Sequence, residues 1–212
     1  MNSPACCHIV GAGDFFAGGF APAGGDLTIA ADGGHRHLAR IGVRPDVVVG
    51  DFDSLAEPPD GAEIVRLPAE KDETDMLAAI RLGLARGFRL FKLYGGTGGR
   101  LDHTVANLQL LCHLSLRSAR GYLVDESCVF TAITDGELRF DASSSGVLSV
   151  FAPLNEALGV ALEGLKYPLK DATLRGDYPL GVSNAFTGRP ARVSVASGTL
   201  LVAYPHTAVE SR

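Results

Sequence analysis

The acidic residues of this chain are the first candidates for chemistry, because several of them follow short apolar runs. Asp51 and Asp53 lie in the stretch VVVGDFDS, in which three consecutive valines and Gly50 precede Asp51. Residues i and i+2 of an extended backbone point to the same side, so both carboxylates are expected to face one way and Phe52 the other. Asp32 follows a second apolar run, LTIAA. These positions predict carboxylates presented at the ends of buried strands.

Two further acids, Asp72 and Asp75, flank the start of a predicted helix, where the helix dipole favours negative charge. Carboxylates that crowd together raise one another's pKa values unless a cation neutralises them. A hard divalent ion meets that need, and Mg²⁺ bound together with phosphates is its usual form. Taken alone, Asp32 is also typical of a turn, and Asp72 of an ordinary first helical turn. Together, the acids predict a magnesium site.

A glycine-rich loop, GGTGGR, lies between a predicted strand and a predicted helix and is a candidate for phosphate binding. Glycines such as Gly98 let backbone N–H groups approach an anion, which the following helix N-terminus also favours. The loop matches neither GxGxxG nor GxxxxGK[ST]. Arg100 carries a planar donor fork suited to phosphate oxygens, and Lys71 beside the acids is a second candidate. The alternative for both side chains is a solvated surface charge.

Asp102 and His103 follow this loop at the start of the next predicted helix. Asp102 is a candidate for orienting or deprotonating a hydroxyl group, with a simple first-turn helix acid as the alternative. His103 is a candidate to assist it or to fill a structural role. Because the sequence has no serine or cysteine nucleophile motif, the acids, the glycines and Arg100 favour direct phosphoryl-type transfer.

Apolar strands alternate with helices over roughly the first 130 residues, which predicts a parallel sheet covered on both faces. The predicted helices are His35–Ile41, Thr74–Arg86 and Leu101–Leu116. In such sheets, ligand sites lie beyond the carboxyl ends of the strands. The acids are therefore expected to converge on one rim of the sheet.

After about Phe130, short strand candidates are separated by Gly, Pro, Ser and Asp, and no helical period is visible. We therefore expect two domains: an N-terminal Rossmann-like parallel α/β sheet domain over residues 1–130, and a C-terminal antiparallel β-sandwich domain over residues 131–212. The strands predicted in the second domain are Glu137–Phe140, Gly146–Phe151, Gly159–Leu162, Ala172–Leu174 and Ala191–Tyr204.

Composition argues against several classes of function. The net charge is −5 and no basic stripe is present, so no nucleic-acid binding is expected. The N-terminus, MNSPACCHIV, lacks a basic segment, and no apolar run approaches the roughly 18 residues of a membrane span, so neither a signal peptide nor a membrane segment is expected. The cysteines lack CxxC spacing and the histidines lack an HExxH pattern. Free thiols in a reducing cytoplasm are therefore expected rather than a zinc site.

The order of four motifs closely resembles the thiamine pyrophosphokinase family: ADGG (31–34), GDFDS (50–54), KDETD (71–75) and GGTGGRLDH (95–103). LKYPLKDATL (165–174) and GVSN (181–184) continue the resemblance through the C-terminal half. The resemblance implies transfer of pyrophosphate from ATP to the hydroxyethyl group of thiamine, which gives thiamine pyrophosphate and AMP. It also implies a homodimer whose thiamine pocket lies between the subunits.

The resemblance also implies roles for individual residues. It implies that Mg²⁺ is bound by Asp51, Asp53 and Asp75, with Asp32 and Asp72 nearby for the metal or the nucleotide. It places Lys71 and Arg100 near the ATP phosphates. It assigns contacts with the thiamine pyrimidine to Ser183 and Asn184. Some family members place a Trp against the thiamine ring, and this chain has none, so Phe186 or another apolar side chain is expected there.

The sequence leaves two questions open. The proton of the attacking hydroxyl is accepted either by Asp102 or by an acid beside the metal. The acceptor is thiamine or, with the same machinery, another alcohol such as a hydroxymethyl pterin; the GVSN stretch favours thiamine. A nucleotide or thiamine sensor without catalysis is the alternative from another functional class, and the intact set of acids argues against it.

Overall fold

The computed structural model describes residues 4–51, 61–68, 70 and 72–211. The chain divides into two compact units: residues 1–110 with 123–126, and residues 111–122 with 127–212. The predicted single boundary after residue 130 stays a prediction. Each unit is described by itself below.

Five strands of the first unit pair in parallel. They are β1 (Cys6–Val10), β2 (Leu27–Ala31), β3 (Val47–Gly50), β4 (Glu63–Arg66) and β5 (Leu90–Tyr94). Every residue of β1, β2 and β3 is buried, which is the reason that continuous apolar runs form them. Only β4 carries charged residues at both ends and leaves those ends exposed.

The helices of the first unit agree closely with the sequence prediction. They are α1 (Gly34–Arg40), α2 (Asp75–Ala85) and α3 (Leu101–Ser115), whose last residues belong to the second unit. The hydroxyl of Thr74 accepts a 3.2 Å hydrogen bond from the N–H of Leu77 and so caps α2. At the other end of α2, Gly87 takes a φ of +90°, a conformation that ends helices and that glycine adopts without strain. Both local signals therefore act as the sequence indicated.

The strand order explains where a ligand site belongs. The parallel strands lie in the order β5–β1–β2–β3–β4. The chain thus builds outward from β1 through β4 and then returns to place β5 on the other side of β1. Such a reversal opens a crevice at the carboxyl ends of the strands on either side of it, here β1 and β5, and open α/β sheets bind their ligands in this crevice. The segments that follow β1 and β5 are therefore the expected walls of the site.

The second unit holds two antiparallel sheets. Along the chain, β6 (Arg120–Val124) follows α3 and has residues in both units. The sheet strands are β7 (Val129–Thr134), β8 (Glu137–Phe140), β9 (Val147–Phe151), β10 (Glu156–Glu163), β11 (Leu169–Arg175), β12 (Asn184–Ala185), β13 (Ala191–Ser194), β14 (Thr199–Tyr204) and β15 (Glu210–Ser211). One sheet has the order β12–β9–β14–β7 and the other β11–β10–β13–β8–β15.

The two sheets share one hydrophobic core, to which Val150 and Val202 contribute from one sheet and Phe140 and Val193 from the other. The predicted fold class, an α/β domain followed by an antiparallel β-sandwich, is confirmed. The sequence prediction missed β7 and the two-residue strands β12 and β15. It also merged β13 with β14, which lie in different sheets and are separated by a turn at Gly198 with φ +107°.

Outside the site, the sequence predicted free cysteines and no membrane segment. All four cysteines lie in the described part of the chain; none forms a disulfide, and Cys6, Cys7 and Cys112 are buried. Burial raises the pKa of the Cys6 and Cys112 thiols to about 11, which keeps them protonated and unreactive near neutral pH. Among the described residues, no helix is both long enough and apolar enough to cross a membrane.

Candidate active site

A cleft of about 660 Å³ lies in the first unit, at the carboxyl ends of the parallel strands. This volume lies within the range of about 300–1,000 Å³ that is typical of small-molecule sites. Its walls come from the segments after β1, β2, β3 and β5 and from the starts of α2 and α3. The lining residues are Gly11, Ala12, Gly13, Ala31, Asp32, Asp51, Glu73, Thr74, Asp75, Met76, Gly95, Gly96, Thr97, Gly98, Gly99, Arg100, His103 and Asn107.

Three of the predicted acids meet in this cleft. Asp32 comes from the end of β2, Asp51 from the end of β3 and Asp75 from the first turn of α2. Glu73, which the sequence analysis did not single out, lines the cleft beside them. Asp72 is exposed and is not among the lining residues. The cleft thus collects carboxylates from three separate segments of the chain.

Two predicted site residues, Asp53 and Lys71, lie outside the described residues. Among the residues that the structure does describe, no three His, Cys, Asp or Glu side chains form a group able to hold a metal ion. Asp51 and Asp75 remain as oxygen donors on the cleft wall. Mg²⁺ is commonly held by one or two carboxylates together with substrate phosphates and waters, and this donor set fits that mode.

The backbone at Asp32 is held in an unusual conformation. Its φ is +51°, a region that most residues avoid and that Asp tolerates better than most. Its N–H donates to the carbonyl of Val49 at 2.8 Å, and its carbonyl lies 3.0 Å from Nδ1 of His35. These bonds fix the turn that brings the Asp32 side chain to the cleft. A strained, well-held acid at a strand end is typical of a functional position.

Two glycine-rich segments form the wall on either side of the strand reversal. Gly11–Gly13 follows β1, and Gly95–Gly99 follows β5. The N–H of Gly13 donates to the carbonyl of Gly95 at 2.8 Å, and the N–H of Asp14 donates to the carbonyl of Thr97 at 2.8 Å. A methyl group on Gly11 would lie 2.7 Å from the Gly95 carbonyl oxygen. The segments can therefore approach this closely only because they lack side chains.

The glycine-rich stretch after β1 is not among the segments that the sequence predicted for the site. Its signal was nevertheless present: a buried strand that runs directly into Gly-Ala-Gly is the same pattern as β5 running into Gly95. The sequence did not show that β1 and β5 are adjacent strands of the sheet. Because they are adjacent, the two glycine-rich segments that follow them form one wall of the cleft.

Arg100 and Asp102 form an exposed ion pair at the start of α3. Nη2 of Arg100 lies 2.5 Å from Oδ2 of Asp102, and Nε lies 3.2 Å from Oδ1. The hydrogen bond to Arg100 lowers the pKa of the Asp102 carboxyl and raises the pKa of Arg100. Arg100 lines the cleft, whereas its partner Asp102 is not among the lining residues. Since a carboxylate with a lowered pKa is a weaker base, this geometry favours Asp102 as a holder of Arg100.

The predicted thiamine residues belong to the second unit. Asn184 is 3% exposed, and its amide holds the backbone of Tyr167: Oδ1 accepts from the Tyr167 N–H at 2.9 Å, and Nδ2 donates to the Tyr167 carbonyl at 2.7 Å. Ser183 is exposed, has φ +60°, and donates its N–H to the hydroxyl of Ser149 at 3.1 Å. The contact of Ser183 and Asn184 with a ligand stays a prediction.

Phe186, the predicted substitute for a stacking Trp, packs on the sandwich core. Its ring centroid lies 5.2 Å from that of Phe140 at an interplanar angle of 68°, an edge-to-face contact. Tyr167, whose backbone the Asn184 amide holds, is an aromatic residue that is 57% exposed. The role of Phe186 in thiamine stacking stays a prediction.

Comparison with known proteins gives matches in both units. The family model described as thiamin pyrophosphokinase, catalytic domain, matches residues 23–123, and the model described as thiamin pyrophosphokinase, vitamin B1 binding domain, matches residues 146–200. Thiamine pyrophosphokinase of Bacillus subtilis is 29% identical over 183 residues, which cover 83% of this chain and 86% of the relative.

Solved structures are similar as well. The thiamin pyrophosphokinase of Geobacillus thermodenitrificans superposes with a TM-score of 0.81 at 29% identity, over 94% of this chain and 97% of the other. The Bacillus subtilis structure superposes with a TM-score of 0.84 at 24% identity, over 94% and 98% of the two chains, and shows the shared fold.

Proposed function

The chain belongs to the thiamine pyrophosphokinase family and is an enzyme that transfers pyrophosphate to thiamine, and we propose that it takes this pyrophosphate from ATP bound with Mg²⁺ in the cleft of the first unit. One observation carries the proposal: acids from three strand and helix ends and two glycine-rich segments line a single cleft. Glycine-rich backbone suits phosphate oxygens, and carboxylates suit the cation that accompanies them.

Asp51 and Asp75 would hold Mg²⁺, together with Asp53 as the family resemblance implies. When bound, the ion supplies neutralisation of the negative charge on the phosphate oxygens. Asp32 lies on the same wall and would contact the metal or the nucleotide, and we assign Asp72 and Lys71 the supporting roles that the resemblance implies. Gly98 and Arg100 would bind phosphate oxygens, Gly98 through its backbone and Arg100 through its planar guanidinium.

The reaction that this arrangement supports is an in-line attack of the thiamine hydroxyl on the β-phosphorus of ATP. The new O–P bond forms as the bond between the α- and β-phosphates breaks, and AMP leaves. Such transfers depend mainly on positioning and charge neutralisation, which the glycine-rich segments and Arg100 provide. Asp102 is paired with Arg100 and is not among the residues that line the cleft, so we assign the proton to an acid beside the metal.

For the acceptor, we propose that Ser183 contacts the thiamine pyrimidine and that Asn184 holds the segment around it. We propose that the exposed ring of Tyr167, whose backbone Asn184 holds, stacks on thiamine. We also propose a homodimer with the thiamine site at its interface. Several exposed apolar side chains of the second unit support it, because they lie in the segments around Ser183 and Tyr167; they are Val147, Tyr178, Leu180 and Val182.

We further propose that the enzyme works in the cytoplasm on small molecules and without nucleic acid. Three buried, protonated thiols and the lack of disulfides among the chain's four cysteines fit a reducing compartment. The net charge of −5 supports the absence of a nucleic-acid partner.

The direct test is to incubate the protein with ATP, Mg²⁺ and thiamine and to measure the products by mass. Thiamine pyrophosphate and AMP in equal amounts are expected. A parallel incubation replaces thiamine with a hydroxymethyl pterin. Equal amounts of the pyrophosphorylated pterin and AMP there, with no product from thiamine, would reject thiamine as the acceptor. Binding of both ligands without any product would instead identify a sensor.

A further inference from the structure

Three successive carbonyl groups after β5 are each held by a donor outside the glycine-rich loop. The carbonyls of Gly95 and Thr97 accept backbone N–H bonds from Gly13 and Asp14, both at 2.8 Å. The carbonyl between them, that of Gly96, accepts a hydrogen bond from Nδ2 of Asn107 at 2.7 Å. Two of these anchors are therefore backbone groups, which mutation leaves in place, and one is a side chain.

Asn107 is placed on α3 so that it can reach the loop. It lies one helical turn after His103, on the same face of the helix, and both residues line the cleft. Asn107 is only 6% exposed, and its hydrogen bond to Gly96 is buried. A methyl group on Gly96 would lie 3.1 Å from Nδ2 of Asn107, so the amide lies directly against the loop.

We propose that Asn107 is a positioning residue for the triphosphate of the nucleotide; this inference rests on the proposed function of the cleft. A trans peptide is planar, and its C=O and N–H point in opposite directions. By holding the Gly96 carbonyl, Asn107 fixes the plane of the peptide that joins Gly96 to Thr97, and with it the direction in which the loop continues to Gly98 and Gly99. Glycines otherwise allow many backbone directions, so this anchor keeps the loop in one binding geometry.

A second side-chain anchor acts on the same part of the loop. The hydroxyl of Thr97 donates to Oδ2 of Asp125, the residue after β6, at 2.7 Å, and Thr97 is only 7% exposed. Asn107 therefore sets the peptide before Thr97, and Asp125 holds the Thr97 side chain itself. Losing either anchor should loosen the loop without removing any group that contacts thiamine.

The test is Asn107→Leu, which keeps the approximate size of the side chain and removes its donor. We expect the KM for ATP to rise about tenfold, the cost of one buried hydrogen bond that preorganises the loop. We expect the KM for thiamine to stay within about twofold of wild type. A merely structural role would lower stability and leave the ratio of these two constants unchanged.

A matched control exists in the second unit. Thr131 is fully buried, and its hydroxyl donates to the carbonyl of Gly121 at 2.7 Å, which is the same kind of bond to a glycine carbonyl. Thr131→Val should lower the midpoint of thermal unfolding and leave the KM for ATP unchanged. A folded Asn107→Leu protein with the wild-type KM for ATP, or an equal rise in that KM in Thr131→Val, would overturn the inference.

Two further measurements keep the test decisive. If Asn107→Leu does not fold, Thr97→Val tests the neighbouring anchor: a severalfold rise in the KM for ATP supports the inference, and an unchanged KM overturns it. If the wild type makes no thiamine pyrophosphate, calorimetry with ATP and Mg²⁺ separates the two proposals. Weaker ATP binding by Asn107→Leu than by wild type supports the role of Asn107 even though the proposed function has failed. Equal ATP binding by both proteins, or no binding by either, overturns the role of Asn107.

Discussion

The cleft of the first unit and the Ser183–Asn184 segment of the second unit use their polar groups in opposite ways. In the cleft, backbone groups hold one another, as Gly13 holds Gly95, and charged side chains line the wall. In the second unit, the amide of Asn184 is engaged with the backbone of Tyr167. A sequence motif therefore marks side chains that line a cleft in the first unit. In the second unit a motif marks Asn184, whose amide holds the Tyr167 backbone, and we call this contact the clamp.

The largest expected effect is the loss of a cleft carboxylate. Asp51→Asn should lower kcat/KM on the order of a thousandfold, because a neutral amide is a poor ligand for Mg²⁺ and does not offset its charge. Activity at saturating thiamine, together with thermal unfolding, measures it. Asp141→Asn, an exposed acid in the second unit, is the control and should retain activity. Near-normal turnover in Asp51→Asn would remove the proposed contrast between the two regions.

The clamp in the second unit predicts a change in stability. Asn184→Ala should lower the free energy of unfolding by about 1–3 kcal/mol, because the N–H and carbonyl of Tyr167 lose their partner in a partly buried place. Denaturant unfolding measures this. Ser183→Ala, one residue earlier and exposed, should leave stability unchanged and raise only the KM for thiamine. Equal stability of Asn184→Ala and wild type would show that the clamp contributes nothing.

The ion pair beside the cleft predicts a smaller effect. Asp102→Asn should raise the KM for ATP severalfold, because Arg100 loses the partner that orients it, and should lower kcat by less than about tenfold. A general base would behave differently: its loss costs about 10²–10⁴-fold in kcat and alters the pH profile of the rate. Measuring kcat and KM for both substrates across pH therefore decides the role that the sequence left open.

The smallest effect concerns a pair formed by His8 in β1 and Asp26, the residue before β2. His8 is 1% exposed, and Nε2 lies 3.1 Å from Oδ2 of Asp26. Burial lowers the pKa of His8 below its ordinary value of 6.5, more than the hydrogen bond and charge of Asp26 raise it. Below about pH 6.5 the unfolded chain therefore binds a proton that the folded chain does not.

Stability should consequently fall as the pH drops from 6.5 towards the lowered pKa of the folded state. Thermal unfolding of wild type at pH 7.5 and pH 5.5 measures this, with about 6.5 as the ordinary histidine pKa between them. His8→Gln keeps a donor for Asp26 but does not titrate, so its unfolding midpoint should change less between these pH values. An equal change in both proteins would exclude His8 as the cause.

Local pattern was sufficient for much of the fold and for part of the site. Three valines before Asp51 predicted a buried strand that ends in an acid, and Thr74 and Gly87 bounded α2, because capping and burial are properties of a few adjacent residues. Strand ends are also where parallel sheets present ligand groups, so Asp32, Asp51 and Asp75 were correctly expected to meet at one place.

The sequence by itself thus determined the strands and helices of the first unit, which of them end in acids or glycines, and which family the motif order resembles. Only the tertiary structure decided that β5 lies beside β1, so that Gly13 meets Gly95, that Asn107 reaches the Gly96 carbonyl, and that the Asn184 amide turns inward to Tyr167. The physical reason is that hydrogen-bond partners are chosen by distance in space. Periodicity and spacing report only the neighbours along the chain.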